Sequence, residues 1–162
     1  MTILQILDTK DFMSKLLVKD TFDDFLLVKA DICTSVSTSI DGRINKDFFD
    51  DTEIIPEEYP KWSNLKPLCF EIIKGKVLPL SVKIILKLPK ESLEDFLSKA
   101  GIPERKGEIQ GLFINIHFDK NNLKVVTGTS LKTFSIDKTI EFEWDKWVKN
   151  FMFNEKIENE EA

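Results

Sequence analysis

Hydrophobic positions in this chain switch between a period of two and a period near 3.6. That switching predicts an alternation of strands and helices. Thr2 to Leu7 alternates and reads as a strand. Asp8 or Thr9 can then cap a helix by accepting from free first-turn N–H groups. Phe12, Met13, Leu16 and Leu17 form its apolar face, with Lys10, Lys15 and Lys19 on its surface. Phe25 to Ile40 is the longest extended segment. Ala30, Ile32, Thr34, Val36, Thr38 and Ile40 share one face, and Asp31, Cys33, Ser35, Ser37 and Ser39 the other. Asp41-Gly42 offers a hairpin turn after it, with Arg43 to about Phe48 as the partner strand.

Asp50 to Lys61 is acidic, contains Pro56 and Pro60, and reads as an irregular loop. Leu65, Leu68, Cys69, Ile72 and Ile73 then recur at helical spacing. Asn64 is the candidate cap, Pro67 falls in the first turn and Gly75 is the stop. Leu78 to Leu88 is the clearest alternating strand. Ser92 opens a helix carrying Phe96 and Leu97, closed by Gly101 and Pro103. Ile109 to Phe118 and Leu123 to Ser130 are two more strands, and Thr133 to Ile136 suits a further short one. Ile140, Trp144, Trp147, Val148, Phe151 and Met152 define a C-terminal amphipathic helix.

The expected class is therefore α+β: a mostly antiparallel sheet built from two strand–helix–strand–strand units, plus a middle helix and the C-terminal helix. Residues 1–153 form one domain in this reading, and 154–162 an acidic flexible tail.

Composition narrows the picture. The 162 residues are 42% hydrophobic, enough for a core without disulfides or metals. A net charge of −5 argues against nucleic-acid binding by the whole surface. The charge is uneven, however, with lysines dominating from Lys61 to Lys90, so one basic face is compatible with it. Cys33 and Cys69 are far apart and read as free thiols of a reducing compartment. No apolar run approaches the ~20 residues of a membrane span. A cytoplasmic protein without a membrane partner is the expectation.

Candidate chemistry is sparse. His117, the only histidine, would need a nucleophile such as Cys33 or Cys69 and an orienting aspartate to act as a base. Its place in a strand is explained by local hydrogen bonds alone. Thr127 to Thr133 gathers hydroxyls, Gly128 and Lys132, the groups that hold a phosphate, without the spacing of a nucleotide loop. Lys74 and Lys76 flank a helix end, where cations offset the terminal dipole. Lys74, Lys76, Thr129, Ser130 and Lys132 are accordingly the candidate anion ligands. No catalytic set, metal site or cofactor is expected. Asp47, Asp50, Asp51 and Glu53 lack the pattern of a calcium loop.

The segment from Ile40 to Phe49, Ile72 to Lys76 with Pro79-Leu80-Ser81, and Thr127 to Phe134 together resemble a family of unknown function from clostridia and related Firmicutes. The likeness runs from Asp8 to about Phe151, and it implies no activity and no site residue. The proposed duplication is also similar in architecture to DNA-polymerase sliding clamps, whose inner helices are basic. Lys10, Lys15 and Lys19 fit that pattern, whereas Glu91, Glu94 and Asp95 depart from it.

The leading expectation is a non-enzymatic interaction protein, self-associating through strand edges or the aromatic terminal helix. A clamp-like DNA-associated module and a small enzyme or anion-binding protein are the alternatives.

Overall fold

The computed structural model describes residues 1–55 and 57–162; Pro56, within the expected acidic loop, lies outside the described residues. Elements follow in the order β1 (Ile3–Ile6), α1 (Thr9–Leu17), β2 (Leu26–Cys33), β3 (Ser37–Asp41), α2 (Trp62–Ile73), β4 (Ser81–Lys87), α3 (Lys90–Ala100), β5 (Ile109–Asp119), β6 (Asn122–Leu131), α4 (Thr139–Asn154) and β7 (Asn159–Glu161). The chain is α+β, with the described strands in one seven-stranded antiparallel sheet of order β3-β2-β4-β5-β6-β1-β7.

Alternation decides which face of that sheet is buried. Ala30, Ile32, Val82, Ile84, Leu86, Ile114, Ile116 and Val125 are at most 1% exposed and point to the helices. Lys29, Lys83, Lys87, Phe113, Asn115, His117 and Lys124 occupy the alternate positions, and all of these are exposed or half-buried. The helix layer is fixed by two indoles. Trp62 Nε1 donates to Leu16 O at 2.8 Å, joining α2 to α1, and Trp144 Nε1 donates to Phe113 O at 3.0 Å, joining α4 to β5. Trp147 stacks between Trp144 and Phe151, with ring centroids 5.0 and 5.5 Å apart. The aromatic side of α4 is thus largely an internal surface.

Several sequence expectations change. The long strand from Phe25 to Ile40 is two strands, paired as Cys33↔Ser37, Ile32↔Thr38 and Ala30↔Ile40. The three-residue loop between them preserves parity, so the period of two runs through the turn and hides it. Asp41-Gly42 is consequently not the hairpin turn, and Arg43 to Phe48 is not a strand; Lys46–Phe48 is one 3-10 turn. Gly42 instead answers a close approach: its N–H donates to Val28 O at 2.9 Å, and a Cβ there would lie 2.0 Å from Leu27 O.

Helix α2 starts at Trp62, with Lys61 rather than Asn64 at its N-cap, so Pro67 falls inside the helix. Helix α3 starts at Lys90 after Pro89, ahead of Ser92, and ends as expected on left-handed Gly101 (φ 76°). Thr133 to Ile136 forms no strand. β4 begins at Ser81, leaving Leu78 and Leu80 exposed.

The segment read as a flexible acidic tail returns to the sheet. After a left-handed Lys156 (φ 57°), Ile157 is buried to 3% and β7 pairs with β1. Lys15, expected on the surface, is 9% exposed and ties down this return: its Nζ donates to Asp11 at 2.7 Å and to Lys156 O at 3.0 Å. The two proposed units share element order and a closing antiparallel hairpin, β2–β3 and β5–β6, but not the pairing of their first strands. β4 pairs with β5 of its own unit, whereas β1 pairs with β6 and β7. The expected duplication is thus matched in the two hairpins and not in the placement of β1 and β4.

Two stability measurements follow. Gly42→Ala should destabilise by about 3 kcal/mol in urea unfolding, because backbone must shift to admit the methyl group. Ile157→Ala should cost about 2–4 kcal/mol, the loss expected for a packed core residue; a value near zero would mean that β7 does not dock.

Candidate anion-binding groove

The five residues read from the sequence as anion ligands do not converge. Lys76 lies in the connection to Ser81, at the sheet end formed by Ser81, Asp119 and Asn122. Lys74, at the end of α2, lies 2.7 Å from Glu71 in an exposed ion pair. Thr129, Ser130 and Lys132 are at the opposite end, beside the start of β5. The eleven residues of β5 separate the two ends by roughly 35 Å. Ser130 Oγ donates to Gln110 Oε1 at 2.8 Å. Thr129 turns to the helix side, where Asp137, Glu141 and Asp145 line a hollow of about 500 Å³ and oppose an anion.

Lys132 borders both this hollow and a second one of about 330 Å³, and the second has different chemistry. Its floor is Leu88, Leu93, Ile109 and Leu112, and its rim carries Lys87, Lys90, Lys106 and Lys132 with no carboxylate in the lining. Each lysine comes from a separate turn of the fold. Lys87 is the last residue of β4, and Leu88 N donates to Leu112 O at 2.9 Å, carrying the ladder one step further. Pro89 then turns the chain into α3, with Lys90 as its first residue. Lys106 lies in the 3-10 turn Pro103–Glu108 ahead of β5. Lys132 follows β6, and its N–H donates to Glu108 O at 2.9 Å.

Neighbouring charges are already matched. Arg105 donates through Nε and Nη2 to Glu108 at 2.8 and 2.9 Å, and through Nη1 to Asp137 at 2.9 Å. The Arg105 hydrogen bond holds the Glu108 carboxyl below its usual range, and the Thr139 hydroxyl, backbone Thr139 and Arg105 do the same for Asp137. Arg105 thereby pins the turn that carries Lys106 and leaves the lysines as the field of the groove. Lys106 pairs with Glu94 across the rim. Among the described residues, Lys87, Lys90 and Lys132 have no ion pair; Lys87 Nζ lies 5.6 Å from the Tyr59 ring centroid. Glu57 accepts from Lys90 N at 3.1 Å, so the α3 terminus already has its acceptor.

The other candidates disperse. Cys69 is fully buried and burial pushes its thiol up to about 11. Cys33, half-buried, has Ser37 Oγ 3.6 Å from its sulfur. His117 is two strands from β2, beside Lys83 and Lys124 in register, so no Cys–His pair forms. Partial burial, then the Lys83 charge, hold its imidazole below the ordinary value. Sequence reasoning found Lys132 but missed Lys87, Lys90 and Lys106, because no spacing along the chain links them. A thiol reagent should modify Cys33 in the native protein and Cys69 after unfolding; rapid native reaction of both would contradict the buried position of Cys69.

No match was found among curated proteins, and none among solved structures. The model of a family of unknown function (DUF5721) matches residues 15–160. That span includes all four lysines of the groove, and the chain belongs to this family of unknown function.

Proposed function

We propose that the protein is a binding module for a small amphipathic anion, a phosphate or carboxylate attached to an apolar body. The observation that carries this reading is the convergence of Lys87, Lys90, Lys106 and Lys132 over an apolar floor whose lining contains no carboxylate. Lysine ammonium groups supply point charges for an oxyanion, and Leu88, Leu93, Ile109 and Leu112 offer an apolar body a surface to leave water for. The lining holds no Ser, Cys, His, Asp or Glu, so no nucleophile–base pair is assembled in it, which favours binding over catalysis.

Titration calorimetry with phenyl phosphate, inorganic phosphate and phenol tests it. Phenyl phosphate should bind about tenfold more tightly than inorganic phosphate, since burying part of a ring contributes about 1.5 kcal/mol. Lys87→Gln and Lys132→Gln should each weaken it about fivefold, near 1 kcal/mol for a charged contact at an exposed rim. Equal affinity for all three probes, or none, would overturn the reading.

A protein-contact reading has its own support. Val36, Val77, Leu78 and Leu80 are each at least 65% exposed. Leu80 N donates to Cys33 O at 2.8 Å, bringing this connection against the β2–β3 hairpin. If the patch drives self-association, sedimentation should show a concentration-dependent dimer that Leu78→Ser with Leu80→Ser abolishes. A monomer throughout would leave the patch without that role.

A further inference from the structure

We infer that Tyr59 is a positioning residue of the lysine groove: its ring holds the Lys87 ammonium at the rim and makes Lys87 the preset contact for the anion. This role rests on the groove being an anion site. Tyr59 is not among the residues that line the hollow, and it acts through Lys87 rather than by touching the ligand.

The four lysines of the groove are not equivalent. Lys90, Lys106 and Lys132 are exposed, whereas Lys87 is half-buried. Its course is fixed at two points. Lys87 faces Phe113 across the β4–β5 ladder, and its Cε lies 3.1 Å from where a Cβ at Gly111 would stand. The stem therefore runs over the bare backbone of Gly111, in space that a larger residue would contest. Beyond the stem, the ammonium lies 5.6 Å from the Tyr59 ring centroid, within the range of a cation–π contact. That attraction is electrostatic and uses none of the N–H groups, so all three donors stay available to an oxyanion.

Tyr59 is itself held. Arg43 Cζ lies 5.9 Å from the same ring centroid, so the half-buried ring carries a second cation. The main chain on either side of it is tied down. Ile44 N donates to Glu58 O at 2.8 Å, Leu27 N donates to Pro60 O at 2.8 Å, and Lys61 forms an antiparallel bridge with Leu26. The segment is thus docked on the start of β2, the neighbour of β4 in the sheet. Glu57, two residues before Tyr59, accepts from Lys90 N at 3.1 Å. One short stretch of chain therefore meets the groove at two of its lysines, from outside the lining.

The consequence for binding is entropic. A lysine has a long flexible stem, and the rotamer freedom it loses on closing over a ligand subtracts from affinity. Lys87 has given up much of that freedom on folding, between Gly111 and the Tyr59 ring, so its contact with an anion costs less than one from an exposed lysine. The property required at residue 59 is the negative face of an aromatic ring. Phenylalanine retains that face, whereas leucine fills the space without it.

Calorimetry with phenyl phosphate and NMR of protein carrying carbon-13 lysine test this together. Tyr59→Leu should weaken phenyl phosphate about threefold, and Tyr59→Phe should leave it unchanged. In a Lys87→Gln background Tyr59→Leu should have no further effect, whereas Lys132→Gln should weaken binding by the same factor with or without Tyr59→Leu. A segment merely loosened by the substitution would not show that selectivity. The Lys87 Hε signals, assigned by their loss in Lys87→Gln, should move in Tyr59→Leu as the ring current of Tyr59 is removed, and stay in place in Tyr59→Phe. Unmoved signals or unchanged affinity in Tyr59→Leu, an equal loss in the Lys87→Gln background, or Tyr59→Phe behaving like Tyr59→Leu would overturn the inference and leave the groove reading intact. Absence of phenyl phosphate binding to the unaltered protein would instead overturn that reading, and the anion role of Lys87 with it.

Discussion

Burial of the sheet on one side is the constraint from which the rest of this structure follows. Strict alternation along β2, β4, β5 and β6 sends one set of side chains under the helices and the other outward. Residues such as Ile84, Ile114 and Val125 on the inner face must be covered, because each carries apolar area whose removal from water contributes roughly 25 cal/mol per Å². Helices α1 to α4 provide that cover. Their packing is selected by two tryptophans that bury large rings and still satisfy their N–H groups on main-chain carbonyls.

Charges are then distributed by exclusion. Ionised side chains cannot enter the layer between sheet and helices without a partner, and Lys15 is the exception that meets the condition, donating to Asp11 and Lys156 O. The remaining lysines are left on the outer sides of the helices, on the open face of the sheet or around its ends. At the end where β4 turns into α3, the turn before β5 and the exit of β6 bring four of them around a hollow with an apolar floor. Neither concentration of charge adds to core stability.

Part of the site was legible in the chain and part was not. Lys132, in the hydroxyl-rich run after Leu131, was identified by composition. Its companions came instead from a strand end, a helix start and a 3-10 turn that are distant in sequence. Lys74 and Lys76 have the same local chemistry as Lys132, yet the antiparallel path of β4, β5 and β6 carries them to the opposite end of the sheet. Local composition cannot distinguish those cases; strand length and pairing order can.

By itself the sequence determined the α+β class, the positions of α1, α3 and α4, the strands β4 to β6 and the inward-facing residues. Those features depend on short-range periodicity and on turn residues such as Gly101, whose left-handed geometry is a local property. Only the tertiary structure decided the β2–β3 hairpin, since its odd loop keeps the alternation in phase. It likewise decided why residue 42 is glycine, which depends on Leu27 from another strand, and that the acidic terminus becomes β7. A three-residue strand with two glutamates has little intrinsic preference to form. The free edge of β1, the burial of Ile157 and the ammonium of Lys15 supply the stabilisation that the segment lacks alone.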